Sequence, residues 1–115
     1  MTEQEIRTIL NRQREYFATG ATLSRKFRAE QLGKLRTSML RHEEDLYGAL
    51  KKDLGKSRME SYMCEIGLTL SELTWMQKHL RGLMQEKRVP TPLSQFAAIS
   101  FRSPSPYGTV LIMSP

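Results

Sequence analysis

The sequence predicts a mostly α-helical chain, with three long helices followed by two β-strands, that belongs to a larger α/β protein. Capping boxes at Thr2 and Ser57, each with a glutamate three residues on, precede apolar residues at helical spacing. Near the end, Val110, Leu111, Ile112 and Met113 are apolar at consecutive positions, as in a strand buried on both faces of a parallel sheet. Nothing upstream could supply the rest of such a sheet, so we expect its other strands to lie outside these residues.

The helices follow in order. The first is expected over 3–18, with Gly20 as its terminator. The second begins after Ser24 and reaches about Asp53, as one helix or two nearly collinear ones, and Gly55 ends it. The third follows Ser57 and reaches about Lys87. The apolar stripe of the second helix is Leu32, Leu35, Met39, Leu46 and Leu50, and that of the third is Tyr62, Met63, Ile66, Leu70, Leu73, Met76, Leu80, Leu83 and Met84.

The character of the chain changes after Val89, where Pro90 and Pro92 end the helical pattern. Ile99 and Phe101 then alternate with polar residues, which predicts a short, half-buried strand. The second predicted strand is 109–113, which follows the turn signal at Gly108.

Composition narrows the class of protein. With 115 residues, of which 39% are hydrophobic, the chain suits one small domain. Its longest apolar run is far shorter than the ~20 residues of a membrane span. The first residues are acidic, where a signal peptide would be basic and then apolar, and a single cysteine cannot form an internal disulfide. These features predict a cytoplasmic location and no membrane segment.

The net charge of +6 raises the possibility of nucleic-acid binding. Six lysines and arginines lie between residues 23 and 41 against Glu30 alone, but on a helix they scatter around most of the circumference. A phosphate-binding face would need them in one stripe. No nucleic-acid partner is therefore expected, although a basic nucleic-acid-binding domain stays open as an alternative, as does a helical interaction module whose tail strand adds to a partner's sheet.

Few residues of the chain are candidates for catalysis or for binding a phosphate group. Cys64 has Met63, Glu65 and Ile66 as neighbours, which suggest a packed helix without the base or positive field that a nucleophilic thiol needs, so a buried or half-buried structural role is expected. Glu65 and Glu72 share a helix face but lie about 10 Å apart, too far to share a proton, so capping or solvation is expected for them instead of a hydrolytic pair. Neither a P-loop nor a Gly-x-Gly-x-x-Gly motif is present.

The two histidines lack the spacing of metal ligands, so no metal site is predicted at His42 or His79. His79 follows Trp75 by four residues, which favours packing between the two rings.

The last three residues of the chain are a candidate ligand-binding site. In open α/β sheets, ligands bind beyond the carboxyl ends of the strands. If 109–113 is such a strand, Met113, Ser114 and Pro115 lie at a ligand-binding edge. The alternative is that these residues merely end a strand.

The chain resembles the amino-terminal quarter of an aldehyde dehydrogenase, and is most similar to the class 3 type. The resemblance covers nearly all of the chain and depends on the order and spacing of several blocks. These are Phe27-Arg28-Ala29-Glu30-Gln31-Leu32, the run from Leu46 through Tyr47-Gly48 to Gly55-Lys56-Ser57, Glu65-Ile66-Gly67, Thr91-Pro92-Leu93, and the run from Pro106-Tyr107-Gly108 to Ser114-Pro115.

This resemblance implies an NAD(P)-dependent oxidation of an aldehyde to a carboxylic acid. It also implies a cysteine nucleophile, a glutamate base and an oxyanion-binding asparagine in a Trp-Asn-Tyr-Pro segment, all beyond residue 115. No catalytic residue is therefore expected here, and the chain alone is expected to be inactive. Met113, Ser114 and Pro115 would be cofactor-binding residues, on the nicotinamide-ribose side of NAD or NADP.

The resemblance further implies three regions. Residues 1–88 would be a helical arm, 89–106 a linker and bridging strand, and 107–115 the first strand of a truncated dinucleotide-binding domain. Residues 99–103 would belong to strands that bridge toward a partner subunit, in a homodimer or higher homo-oligomer. The substrate would be a medium or long aliphatic, or an aromatic, aldehyde.

Overall fold

The computed structural model describes residues 1–113, which form five α-helices, one π-helical turn and two short β-strands. The predicted class, mostly helical with two strands after the helices, is confirmed. The chain divides into two compact units. One contains Met1–Phe27 and the chain from Leu83 onward, and the other is Arg28–Gly82.

Helix α1 is Glu3–Ala18, as predicted. Both bonds of its capping box are present: the Glu5 amide donates to Thr2 Oγ1 over 3.3 Å, and the Thr2 amide donates to Glu5 Oε2 over 2.6 Å. The chain leaves the helix through Gly20, whose φ of 74° is in the left-handed region that favours glycine. A 3₁₀ turn at Ala21–Leu23 follows.

The second predicted helix is two helices, α2 at Arg25–Arg41 and α3 at Glu43–Leu54, separated at His42. Ser24 caps α2, since its Oγ accepts the Phe27 amide over 3.4 Å. Helix α3 ends at Gly55, which has a φ of 68°. Most of the predicted apolar stripe is half-buried, but Leu35 is exposed, and the buried residue of α3 is Tyr47.

The third predicted helix contains an irregularity. Helix α4, Arg58–Ser61, is followed by a π-helical turn at Tyr62–Ile66 and then by α5, Gly67–Leu83. The Ser57–Glu60 capping box is present, with bonds of 3.3 and 3.2 Å. Helix α5 ends earlier than predicted, because Lys87 lies in a strand.

The π turn determines which side chains reach the core. Ser61 and Ile66 are both buried and lie five residues apart, which is the repeat of a π turn. In an uninterrupted α-helix, Tyr62 and Met63 would share the face of Ile66, as predicted, but both are exposed. Beyond the turn the α-helical pattern resumes, and the predicted Leu73 and Leu80 are buried.

Strand β1, Lys87–Val89, pairs antiparallel with β2, Ser100–Arg102, with Arg88 opposite Phe101. Strand β2 confirms the strand predicted from the alternation around Phe101. Its predicted burial was wrong, since Ile99 and Phe101 are 66% and 57% exposed. This two-stranded sheet covers neither side chain.

The segment 109–113 is not a strand in this structure. Val110, Leu111, Ile112 and Met113 are 63–85% exposed, and no described segment pairs with them. A strand needs a hydrogen-bonded neighbour, so the absence of one among the described residues explains the difference. Gly108, with a φ of 89°, approaches the Phe17 ring, so a Cβ there would lie 3.7 Å from it.

Candidate functional site

The predicted cofactor-side segment is described only at Met113, because Ser114 and Pro115 lie outside the described residues. The Met113 side chain is 85% exposed and belongs to no helix or strand. Its place at the edge of a cofactor cleft therefore stays a prediction. The described residues do not themselves fit a dinucleotide, since no glycine-rich turn joins a strand to a helix among them.

The second region with functional groups is an open groove of about 630 Å³ between the end of α3 and the start of α4. The elements that form it are fixed locally by Gly55, which ends α3, and by the Ser57 capping box, which begins α4. The groove is lined by Glu44, Tyr47, Gly48, Lys51, Gly55, Lys56, Ser57 and Arg58.

Arg58 joins the two helices. Its guanidinium donates two hydrogen bonds to the Glu44 carboxylate, each 2.7 Å long, in the bidentate arrangement that suits these two groups. The guanidinium carbon also lies 4.1 Å from the centre of the Tyr47 ring, a cation–π contact. The hydrogen bonds from Arg58 lower the pKa of Glu44, so this carboxylate stays charged and paired.

Tyr47 is the buried member of the cluster. Its hydroxyl donates to Glu43 Oε1 over 2.8 Å. Burial raises the pKa of Tyr47, and the bond to Glu43 raises it further. A phenol held in its protonated form does not serve as a general base near neutral pH.

Lys56 forms a short ion pair with Glu65, on the π turn. The hydrogen bond from Lys56 to Glu65 raises the pKa of the lysine, which therefore remains an ammonium group and is not a nucleophile. Glu65 was expected to be capping or solvated, and it is instead ion-paired. Arg58 and Lys56, which both line the groove, are thus held in ion pairs that join neighbouring elements, and the raised pKa values of Tyr47 and Lys56 keep these two groups protonated.

The remaining sequence candidates lie apart from the groove's lining. Cys64 is exposed, so its predicted burial was wrong. It lies in the π turn, whose extra residue redirects side chains relative to an α-helix. Among residues 1–113, no three His, Cys, Asp or Glu side chains come together as a potential metal site.

Both histidines bond the carbonyl four residues earlier. His42 Nδ1 lies 2.9 Å from the Ser38 oxygen, and His79 Nδ1 lies 2.8 Å from the Trp75 oxygen. The rings of Trp75 and His79 stack, with their centres 4.3 Å apart, which confirms the predicted packing.

Sequence reasoning missed the Glu44–Tyr47–Arg58 cluster. Arg58 is fourteen residues from Glu44, and only the turn at Gly55 brings them together. The available signal was local: Glu43 and Tyr47 lie four residues apart, on one face of a predicted helix.

The comparisons with known proteins assign the chain to a family. The aldehyde dehydrogenase family matches over residues 1–115, and the chain therefore belongs to this family. This confirms the resemblance found in the sequence. Its relatives include the 4,4'-diaponeurosporen-aldehyde dehydrogenase of Staphylococcus aureus, which is 42% identical over 87% of this chain. Aldehyde dehydrogenase family 3 members B3 of Mus musculus and B1 of Homo sapiens are 41% and 37% identical over 92% of it.

A solved structure of Staphylococcus aureus AldH, described as a substrate-bound state, superimposes with a TM-score of 0.86 and 36% identity over 89% of this chain. The chain covers 22% of that structure and of the Staphylococcus aureus dehydrogenase. It thus spans about a fifth of the length of these relatives. No helix within residues 1–113 has the length and apolar character needed to cross a bilayer.

Proposed function

We propose that this chain acts as the amino-terminal helical part of an NAD(P)-dependent aldehyde dehydrogenase, which oxidises an aldehyde to a carboxylic acid. We further propose that the 115 residues alone do not catalyse this reaction. The helices would form an arm, and 107–115 would begin the dinucleotide-binding domain.

The observation that carries the proposal is the exposure of 110–113. Four consecutive large apolar side chains are 63–85% exposed, although such residues are usually buried in folded proteins. An apolar run of this kind suits the interior of a parallel sheet, where both faces are covered. The chain belongs to the aldehyde dehydrogenase family and spans about a fifth of the length of its relatives. Both facts support the proposal that residues 110–113 are covered by the remainder of a larger protein.

The described side chains support the proposed inactivity. Aldehyde oxidation through a covalent intermediate needs an activated nucleophile and a base that can accept a proton. Lys56 and Tyr47 are held in their protonated forms, and the Glu44 carboxylate is engaged by Arg58. The exposed Cys64 lies on the π turn, and within residues 1–113 both histidines direct Nδ1 to a backbone carbonyl of their own helical segment.

For the cofactor, NAD or NADP, we propose that Met113, Ser114 and Pro115 line the nicotinamide-ribose side of its cleft. The exposure of Met113 is compatible with this role. The substrate would be a medium or long aliphatic, or an aromatic, aldehyde; one relative is named for 4,4'-diaponeurosporen-aldehyde. A homo-oligomer and a cytoplasmic location stay predictions.

A graft tests the proposal. Residues 1–115 would replace the matching region of the Staphylococcus aureus 4,4'-diaponeurosporen-aldehyde dehydrogenase, and aldehyde-dependent reduction of NAD or NADP would be followed by absorbance. We expect the graft to be active and the purified 115-residue chain to be inactive. A graft that folds but lacks activity, beside an active parent enzyme, would contradict the first part. Reduction by the isolated chain, free of contaminating enzyme, would contradict the second.

A further inference from the structure

The buried face of the segment 58–83 is defined by four residues, Ser61, Ile66, Leu73 and Leu80. All four lie in the compact unit Arg28–Gly82 and are covered by described residues, so no further part of a longer protein is needed to define this face. From Ile66 onward these residues follow at intervals of seven, which is about two turns of an α-helix. The interval from Ser61 to Ile66 is five residues.

The interval of five contains one residue more than an α-helix can accommodate. At about 100° per residue, an α-helix would turn Ile66 about 140° away from Ser61 over five residues, but only about 40° over four. The π turn at Tyr62–Ile66 takes up the extra residue. Without that residue, the intervals along the buried face would be four, seven and seven, which is the pattern of an uninterrupted α-helix.

We propose that the π turn is a one-residue insertion in an otherwise α-helical segment, and that 58–83 becomes one continuous α-helix when a residue of the turn is removed. The hydrogen bonds support this. The Gly67 amide donates to the Tyr62 carbonyl, five residues earlier. After deletion of Cys64, the same two groups would lie four residues apart, which is the spacing of an α-helical bond. The proposal does not depend on the enzymatic assignment.

Gly67 is the residue that makes room for the insertion. A Cβ at this position would lie 2.7 Å from the Tyr62 oxygen, closer than the two atoms can approach. A continuous α-helix has no such contact, and in a helix interior alanine is more favourable than glycine. The effect of Gly67→Ala on stability should therefore change sign when the extra residue is removed.

Urea unfolding of the purified 115-residue chain tests the proposal, followed by far-ultraviolet circular dichroism and by the fluorescence of Trp75. Deletion of Cys64 and, in a second variant, deletion of Met63 each remove one exposed residue of the turn and keep both partners of the Lys56–Glu65 ion pair. We expect both variants to keep the helix content and the Trp75 emission of the unmodified chain, and to unfold at an equal or higher urea concentration.

The glycine gives the second readout. Gly67→Ala should lower the urea midpoint of the unmodified chain and raise that of the chain without Cys64. A decrease of similar size in both backgrounds would overturn the proposal, because the close approach of Gly67 to Tyr62 would then not depend on the extra residue.

Deletion of Ser71 is the matched control. Ser71 is exposed on α5, and its removal would turn Leu73 and Leu80 by about 100° relative to Ile66. This variant should unfold at a much lower urea concentration or fail to fold. The proposal would also be overturned if the deletions of Cys64 and of Met63 both lowered the midpoint as far as the deletion of Ser71 does.

Discussion

Gly67 and Tyr62 meet at the π turn, where the Gly67 amide donates to the Tyr62 carbonyl, and a Cβ on Gly67 would lie 2.7 Å from that oxygen. The same Cβ would lie 3.1 Å from the Tyr62 ring. Only glycine fits this close approach. Through it, the turn places Ser61 and Ile66 on the buried side of the helix.

We therefore expect Gly67→Ala to destabilise the chain by about 1–3 kcal/mol, because the backbone must shift and the turn's hydrogen bond is lost. Gly48→Ala is the control, since Gly48 lies within α3 and a Cβ there has no neighbour within 4 Å. That change should stabilise the chain by about 0.5–1 kcal/mol, through helix propensity. Chemical denaturation measures both values, and equal effects of the two substitutions would contradict the role of the π turn.

Ser61 gives a second prediction, because its hydroxyl is fully buried and has no hydrogen-bond partner among residues 1–113. Ser61→Ala removes an unsatisfied polar group, whose burial costs about 1–3 kcal/mol. We expect the free energy of unfolding to rise. Ser71→Ala, at an exposed position of α5, controls for helix propensity alone and should give a smaller gain. A loss of stability in Ser61→Ala would show that the hydroxyl is bonded.

The Glu44–Arg58 pair predicts a pH dependence. Arg58 lowers the pKa of Glu44 below its ordinary value of 4.5. The stability that this pair contributes is present above pH 4.5 and is lost as the pH falls through the lower folded-state pKa. Glu44→Gln should therefore weaken the acid dependence of the melting temperature, relative to Glu72→Gln on the exposed face of α5. If Glu44→Gln left the acid dependence of the melting temperature unchanged, the Glu44–Arg58 ion pair would not contribute to stability. An ordinary pKa for Glu44, measured by NMR titration of its carboxyl group, would lead to the same conclusion.

Trp75 is the only tryptophan, and it stacks on His79, so its spectrum reports on one ring contact. His79→Ala should change the near-ultraviolet circular dichroism and the fluorescence of Trp75. His42→Ala, which removes a similar bond to a backbone carbonyl on α2, should leave both signals unchanged. Equal spectral changes in the two variants would mean that the stack is not formed in solution.

Local signals in the sequence predicted much of the fold. The capping boxes at Thr2 and Ser57 and the glycines at 20 and 55 set helix ends by bonds within a few residues, and the structure contains them. The π turn was missed, because an extra residue in a helical turn leaves the apolar periodicity only slightly altered. Strand β1 was missed because it directly follows a helical pattern. Its pairing with β2 depends on residues more than ten positions further along the sequence.

The candidate site could be predicted from the sequence less well than the helix ends. The Arg58 cluster depends on a turn that reverses the chain, so spacing along one helix could not reveal it. The strand predicted at 109–113 has no partner among the described residues, and strand formation depends on such a partner. The family, in contrast, was recognisable, because short blocks such as Glu65-Ile66-Gly67 keep their order and spacing.

Amide hydrogen exchange at 110–113 tests the central claim most directly, namely that these residues are uncovered here and become interior sheet in an intact aldehyde dehydrogenase. The isolated chain would be measured dilute and monomeric, and beside it the graft on the Staphylococcus aureus dehydrogenase. We predict fast exchange in the isolated chain and strong protection in the active graft. Protection in the dilute monomer, or fast exchange in an active graft, would contradict the account.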